Sequence, residues 1–293
     1  MKLYAPSYYK NFKCAADKCE HSCCVGWEID IDADTLSKYE ALTCEYGNFI
    51  KESVSKSGTP HFKLAEGERC PHLDSQGLCK IITNLGENYL CDICREHPRF
   101  YNYTGVAELG IGMSCREAAK IILSSPDYAK MECIGEIDAD DESFDFDARA
   151  LREKIYGILN SPESYSLRLE KIYKSFSIKL HSDAHYLKIL DSLEYLDSAH
   201  KDLFKCYSSQ REATGFDSEL ERFLAYFVYR HTTEAEDDAD FKLRLAFCLF
   251  CERLFASLIC KAAPKSTEEL AALASIISEE IEYSDENTEI LTY

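Results

Sequence analysis

Four cysteines lie within eleven residues near the start of this 293-residue chain, and two of them are adjacent. The group comprises Cys14, Cys19, Cys23 and Cys24, and later cysteines that can join it are Cys70, Cys79, Cys91, Cys94 and Cys115. Thiolates are soft ligands that suit zinc or an iron–sulfur cluster, and a short loop can present two or three of them to one centre. The spacing therefore predicts that the N-terminal part of the chain folds around metal.

The cysteine count argues against disulfides. Fifteen is an odd number, and 293 residues are too many for a small disulfide-stapled scaffold. The N-terminal residues lack the apolar stretch of a secretory signal, and no window approaches the roughly 18 apolar residues of a membrane span. We therefore expect a cytoplasmic protein without a membrane partner, in which clustered cysteines are metal ligands or redox thiols.

The charge balance limits the partners. Lys and Arg number 33 against 52 Asp and Glu, which gives a net charge of −19 and a pI near 4.9. This acidity argues against nucleic acid and would attract a basic peptide or a lysine-rich protein. The alternative is that the acidity only keeps the protein soluble. The sequence does not indicate an oligomeric state.

The cysteine-rich part is predicted to contain short helices and loops. Residues 1–13 are expected to be extended and to pack over the cysteines, and Asp34 is expected to cap a helix from Thr35 to Ser53. Asp74 to Gly77 form a predicted turn that brings Cys70 and Cys79 together.

Three further segments complete this part. A helix over 81–94, broken at Gly86, presents Cys91 and Cys94 one turn apart. Residues 109–112 are expected to be flexible because two of the four are glycine. Ser114 is expected to cap a helix that starts at Cys115, where the helix dipole favours a thiolate.

The second half reads as an all-helical bundle, so the predicted fold class is mainly α. An acidic segment at 135–147 is predicted to be an exposed linker between a cysteine-rich domain, 1–134, and a bundle domain, 148–293. The predicted helices are 147–160, 162–180, 183–207, 216–232, 237–261 and 266–283. Their apolar residues recur every three or four positions, so each helix should bury one stripe.

One bundle helix combines apolar and polar residues in an unusual way. Residues 223–231 are apolar on nearly every side, yet they include Tyr226, Tyr229, Arg230 and His231. Such groups need partners when buried, or they bind a ligand. The alternative is that Arg230 pairs with a carboxylate and that the tyrosines are core residues. Cys248 and Cys251 lie within a strongly apolar helix and are interpreted as inert core residues.

Other catalytic signatures are absent from the sequence. It contains no GxGxxG, phosphate-loop, HExxH or GxSxG motif, and no CxxxCxxC motif of the type that cleaves S-adenosylmethionine reductively. These absences argue against a Rossmann-like methyltransferase or dehydrogenase. If the protein is an enzyme, its chemistry should depend on the cysteines.

The order of several motifs resembles the flagellin lysine-N-methylase family, which is similar to a broader set of metal-chelating proteins with a CxxCxxCC cluster. The motifs are Pro6-x-Tyr8, Phe12-x-Cys14, Cys19, Cys23-Cys24-x2-Trp27-x-Ile29-x-Ile31-Asp32, Cys70-Pro71-x-Leu73, Gly77-Leu78-Cys79-x-Ile81, Cys94-x3-Pro98-Arg99 and Ser114-Cys115-x-Glu117-Ala118-Ala119. Weaker matches are Tyr226-Phe227-x-Tyr229-Arg230-His231 and Ile281-Glu282-x-Ser284-Asp285-Glu286-Asn287. The resemblance thus spans nearly the whole chain.

The resemblance implies methyl transfer from S-adenosylmethionine to lysine ε-amino groups of flagellin, with a [4Fe-4S] cluster as cofactor. Aromatic faces and carboxylates hold a sulfonium well. On this hypothesis Trp27 and Glu108 bind the methyl donor, and the catalytic residues are Tyr226, Tyr229 and Arg230.

The cysteines that match the family are more than one cluster needs. They are Cys14, Cys19, Cys23, Cys24, Cys70, Cys79, Cys94 and Cys115, whereas a four-iron cluster takes at most four. A second metal or inert packing would account for the rest. Cys91 is left out because the resemblance rests on Cys94. Two other functions stay open: a zinc-stabilised, non-catalytic adaptor that binds a basic partner, and an iron–sulfur redox protein.

Overall fold

A computed structural model describes residues 1–19, 21–139, 146–210 and 213–293. The strands are β1 (Lys2–Pro6), β2 (Val54–Ser55), β3 (His61–Phe62), β4 (Arg99–Tyr103), β5 (Ala107–Ile111) and β6 (Met131–Glu136). The α-helices are α1 (Ala33–Ala41), α2 (Glu45–Ser53), α3 (Lys80–Leu85), α4 (Asp92–Glu96), α5 (Arg116–Ser124), α6 (Ala148–Leu159), α7 (Tyr165–Phe176), α8 (Asp183–Ser192), α9 (Ser198–Phe204), α10 (Asp217–Thr232), α11 (Asp238–Ala262), α12 (Thr267–Ile277) and α13 (Asp285–Thr292). The prediction of a mainly helical fold is confirmed.

The contacts divide the chain into two compact units. The cysteine unit is Lys13–Pro98, and the helical unit joins Met1–Phe12 to Arg99–Tyr293. Residues 99–134 therefore group with the helices rather than with the cysteines. The predicted linker at 135–147 stays a prediction, and its residues 140–145 lie outside the described part of the chain.

The helical unit is built on α10 and α11, which pack against each other. Their apolar stripes meet through aromatic rings: the Phe223 ring stacks on Phe255 with 4.3 Å between centroids and on Phe227 with 4.6 Å. From Ala148 onward the described residues form helices and connections without strands, so the predicted all-helical bundle is confirmed. The predicted helix 183–207 is divided into α8 and α9, because Asp197 caps a new helix there.

A four-stranded sheet in the helical unit was not predicted. Its strand order is β4-β5-β1-β6, with β1 parallel to β5 and antiparallel to β6. The extended conformation expected for residues 1–13 is present in β1, which is hydrogen-bonded within this sheet and belongs to the helical unit. Residues 109–112 are not flexible: they are buried, and 109–111 belong to β5. Gly110 lies beneath the Phe100 ring, so glycine provides close packing here rather than freedom.

The cysteine unit has a small core of its own. Nine buried residues form it, among them Ile29, Tyr39 and Phe62. Asp32, not Asp34, caps α1 by accepting a hydrogen bond from the Thr35 amide at 2.8 Å. The predicted helix from Thr35 to Ser53 is two helices, because the chain leaves helical geometry at Leu42 and restarts after Cys44.

Two other features bear on the predictions. The helix α5 begins at Arg116 with Cys115 as its N-cap residue and no side-chain cap, so the expected cap by Ser114 is wrong. Within the described residues, no helix is both long and apolar enough to cross a membrane.

Candidate metal-binding site in the cysteine unit

Five cysteines of the cysteine unit lie close enough to affect one another's ionisation, and we call them the five-thiol cluster. They are Cys24, Cys70, Cys79, Cys91 and Cys94. The Sγ atoms of Cys91 and Cys94 are 3.4 Å apart. Cys94 also interacts electrostatically with Cys24 and Cys70, and Cys79 with Cys24 and Cys91. Four members were predicted as ligands.

The missed member is Cys91. It is buried and lies at the N-cap of α4, one turn before Cys94. The Cys-x2-Cys spacing at a helix start was visible in the sequence and indicated this pairing. The ligand set left Cys91 out because the family resemblance rested on Cys94 alone.

Local turns bring the five thiols together. The Cys70 amide donates to the Cys24 carbonyl at 2.8 Å, which joins the first cysteine segment to the second. In the next loop Asp74 Oδ1 accepts from the Gln76 and Leu78 amides, both at 2.8 Å. The predicted turn is confirmed, and it leads Cys79 back to bridge Leu73.

Backbone amides also lie near the sulfurs. The His72 amide is close to Cys70, the Ile81 and Ile82 amides to Cys79, and the Cys94 amide to Cys91, and each lowers the pKa of that thiol. The positive end of an amide dipole favours the thiolate over the thiol. These amides therefore offset part of the cost of ionising buried sulfurs.

The electrostatics of the five-thiol cluster oppose its full ionisation. Burial, together with the neighbouring thiolates, raises the pKa of Cys70 to about 12. The pKa of Cys24 is lowered to about 7, chiefly by a hydrogen bond from Cys23, with burial opposing it. Several adjacent thiolates need a cation to balance their charge, so the donor set fits a thiolate-binding metal group.

The spacing of the sulfurs can be compared with the geometry of a zinc site. A tetrahedral zinc site with bonds of about 2.3 Å places its sulfurs roughly 3.8 Å apart. Among the described residues, the one group of three side chains whose ligand atoms all lie within 4.8 Å is Glu28, Asp30 and His61, which is not thiolate. In the described part of the chain, no three sulfurs of the five-thiol cluster meet this limit, although the Cys91 and Cys94 sulfurs lie 3.4 Å apart.

The other predicted ligands lie elsewhere in the structure. The Cys14 sulfur is exposed and accepts from the Ala16 amide, and Cys19 donates to the His21 carbonyl at 2.9 Å. Cys23 is exposed beside Cys24. Cys115 is half-buried and packs against the core of the helical unit. Of the eight predicted ligands, the structure brings four together.

His72 is buried and does not act as a ligand here. Its Nδ1 is 2.9 Å from Tyr46 Oη and its Nε2 is 3.0 Å from Ser53 Oγ, so both ring nitrogens have partners. Burial, with Lys80 nearby, lowers the pKa of His72 to about 4. Trp27, the predicted donor-binding aromatic, is half-buried and donates to the Cys23 carbonyl at 2.6 Å.

The predicted catalytic residues form a buried network in the helical unit. Tyr226 Oη accepts from Arg230 at 2.9 Å and donates to Glu282 at 3.1 Å. Glu282 also lies 3.4 Å from Arg230 Nε and 2.7 Å from His231 Nε2. These contacts agree with the interpretation that Arg230 pairs with a carboxylate and that Tyr226 is a core residue.

Glu108 and Tyr229 are buried beside Arg152. The Glu108 carboxylate accepts two hydrogen bonds from the Arg152 guanidinium, at 2.6 and 2.7 Å, and both side chains are at most 4% exposed. The Arg152 guanidinium lies 5.1 Å from the centre of the Tyr229 ring. Both carboxylate oxygens of Glu108 therefore accept hydrogen bonds from within the protein. The prediction had assigned Glu108 to binding the methyl donor.

Comparison with known proteins gives three curated relatives. The flagellar biosynthetic protein FliU of Salmonella muenchen is 30% identical over 130 residues, which cover 42% of this chain and 77% of FliU. Lysine-N-methylases of Salmonella choleraesuis strain SC-B67 and Salmonella typhimurium strain LT2 are each 29% identical over 131 residues, or 42% of this chain. These residues span 32% of each lysine-N-methylase. No family model matches the chain, and no solved structure matches it significantly.

Proposed function

Because this chain belongs to the flagellin lysine-N-methylase family, with FliU and the lysine-N-methylases as relatives, we propose that it methylates lysine ε-amino groups of a flagellin-like protein. The relationship to FliU is the observation on which the proposal rests. The net charge of −19 supports it, since an acidic protein attracts a lysine-rich substrate. We further propose that S-adenosylmethionine is the methyl donor.

The proposed cofactor is a [4Fe-4S] cluster held by thiolates of the five-thiol cluster. Backbone amides near Cys70, Cys79 and Cys91 lower the pKa of these thiols, and Cys24 and Cys94 complete the donor set. Among the described residues, no three of these sulfurs lie within 4.8 Å of one another, which supports a group larger than one zinc ion. When bound, such a cluster would supply Lewis-acidic iron.

Methyl transfer sets two requirements that protein side chains must meet. The lysine must react as the neutral amine, because the ammonium has no free electron pair. The sulfonium of the donor must be held close to this amine in a site that excludes water.

The test is metal analysis combined with methyl transfer. The full chain is purified without oxygen, its iron, sulfide and zinc are quantified, and transfer of labelled methyl from S-adenosylmethionine to flagellin is measured. We expect about four irons per chain, brown colour and label on lysine. The variant Cys70→Ser should lose iron and transfer, whereas Cys260→Ser, at an exposed position on α11, should keep both.

Two outcomes would contradict the proposal. Stoichiometric zinc in a colourless protein that transfers no methyl group would favour the zinc-stabilised adaptor. Iron without S-adenosylmethionine-dependent transfer would favour a redox protein.

A further inference from the structure

Among the described residues, four glutamates are at most 6% exposed, and one of them differs from the rest. They are Glu108, Glu252, Glu280 and Glu282. Glu108 pairs with Arg152, Glu280 with His200 at 2.5 Å, and Glu282 with Arg230 and His231. Within the described part of the chain, Glu252 has no ion-pair partner. A buried carboxylate without a cation is costly, so its retention calls for a reason.

Glu252 lies on α11 and lines a cavity of about 910 Å³ in the helical unit. Its Oε1 accepts a hydrogen bond from Tyr165 Oη on α7 at 3.0 Å. The walls come mainly from α7, α10 and α11, with Tyr165, Leu169, Tyr173, Leu220 and Ala256 as the apolar and aromatic surface. An acidic group with aromatic neighbours suits an organic cation.

The arginine that follows Glu252 in the chain has several partners. Arg253 interacts electrostatically with Glu252 and lowers its pKa, while its guanidinium donates to the Ser209 carbonyl and lies 5.9 Å from the centre of the Tyr173 ring. The charged groups that also line the cavity are Glu170, Lys174, Lys179, Asp217 and Arg253. These groups include both signs, so the cavity accepts a ligand with a positive group at Glu252 and further polar groups beyond it.

We propose that this cavity binds an organic cation, with the Glu252 carboxylate as the counter-ion of its ammonium or sulfonium group. The identity of the ligand rests on the proposed function, which supplies two cations: the side chain of a substrate lysine and the sulfonium of S-adenosylmethionine. Both have an aliphatic part that can contact the tyrosine and leucine walls. A cation in this position also provides the charge partner that the other three buried glutamates already have.

Binding should depend on pH in a predictable direction. Burial is the main cause that raises the pKa of Glu252 to about 7, above its ordinary value of 4.5. Below pH 7 the carboxylate of the empty cavity takes up a proton and no longer attracts a cation. Affinity should therefore fall as the pH is lowered from 8 to 6, by up to about tenfold for each unit below the pKa.

The experiment measures binding to the intact chain by calorimetry between pH 6 and pH 8. Two matched pairs of probes differ in charge: S-adenosylmethionine against S-adenosylhomocysteine, and Nα-acetyl-lysine methylamide against its norleucine analogue. We expect one cationic probe to bind at least about tenfold more tightly than its neutral partner. That probe identifies the source of the cation.

The decisive variant is Glu252→Gln, which keeps an acceptor for Tyr165 and removes the charge. It should abolish both the charge preference and the pH dependence, whereas Glu170→Gln, at an exposed position of the same cavity, should change neither. If Glu252→Gln does not fold, Leu169→Trp fills the cavity and should reduce binding of both members of the preferred pair.

Equal binding of charged and neutral probes, or unchanged selectivity in Glu252→Gln, would overturn the inference. Binding that is unchanged in both Glu252→Gln and Leu169→Trp would also overturn it. Methyl transfer is measured separately on the same variants. If methyl transfer is unchanged in Glu252→Gln, the proposed function stands even if the inference about the cavity fails. If the cation binds at Glu252 but no methyl transfer occurs, the inference about the cavity stands and the proposed function fails.

Discussion

At the scale of single residues, the structure identifies the candidate metal ligands more precisely than the sequence did. The spacing of the cysteines predicted a thiolate site, and four of the predicted ligands do lie together. The sequence could not separate them from Cys14, Cys19 and Cys115, because which loops return to one point is decided by contacts between distant residues. The electrostatic interactions among the five thiols make this separation in the structure.

Iron content of cysteine variants tests this separation. We expect Cys91→Ser to lose most of its iron, because the Cys91 sulfur is buried and lies 3.4 Å from the Cys94 sulfur. Cys14→Ser should retain iron, since its sulfur is exposed and contacts the Ala16 amide. Iron is quantified per folded chain after anaerobic purification. The reverse order of iron loss would restore the ligand set that the family resemblance implied.

The pair of Glu108 and Arg152 gives a second prediction for single residues. Glu108→Gln leaves the Arg152 guanidinium buried beside a neutral amide, which should lower the free energy of unfolding by about 3–5 kcal/mol. Urea denaturation measures the change. The control Glu170→Gln breaks an exposed pair with Lys174 and should leave the midpoint unchanged.

An unchanged midpoint in Glu108→Gln would contradict the structural role. If binding of S-adenosylmethionine falls in that variant while its midpoint stays the same, Glu108 would return to the role that the sequence suggested.

At the scale of elements, helices were predicted well and strands were not. The period of apolar residues placed α6, α10 and α11 within about two residues of their observed ends, because a long amphipathic helix repeats its signal over several turns. The sheet strands have five or six residues, and β1 pairs with β5 about a hundred residues later. No local sequence pattern predicts such a long-range pairing. From the sequence alone, the two glycines near position 110 therefore predict flexibility.

Gly110 allows a test of the sheet. A Cβ atom there would lie 2.2 Å from Phe100 Cζ, and Phe100 is itself held against the Tyr229 ring and the Arg230 guanidinium. Gly110→Ala should therefore lower the free energy of unfolding by about 1–3 kcal/mol. The matched control is Gly157→Ala in α6, where a Cβ atom meets nothing within 4 Å. It should raise the free energy of unfolding by about 0.5–1 kcal/mol.

The two glycine variants are compared by urea denaturation of otherwise identical protein. Destabilisation in both, or stabilisation in both, would show that the response does not depend on the sheet contact. A large loss at Gly110 alone would confirm that the segment is packed rather than flexible.

At the scale of the whole molecule, the grouping of segments could not be predicted. The first twelve residues precede the cysteines in sequence, yet they belong to the helical unit through β1. Composition changes most clearly at the acidic segment, and for this reason the sequence placed a boundary there. Among the described residues, the division into units instead follows the hydrogen bonds of the sheet. A composition profile carries no information about such long-range pairing.

The two units should differ in how much they depend on metal. Nine residues form the buried core of the cysteine unit, and two of them, Cys70 and Cys91, belong to the five-thiol cluster. The helical unit has a far larger aromatic and aliphatic core on α10 and α11. A small core contributes little stability by itself, so metal binding should supply much of the folding free energy of Lys13–Pro98.

Hydrogen exchange before and after removal of metal by a chelator tests this dependence. We expect amides of α1, α2 and the Cys70–Cys79 loop to lose protection, because their backbone positions are tied to the thiols. Amides of α10 and α11 should keep theirs, since aromatic packing holds them. Equal loss throughout the chain would mean that the two units fold as one cooperative body. Unchanged exchange in Lys13–Pro98 would mean that its small core is sufficient without metal, and the thiolates would then serve chemistry rather than stability.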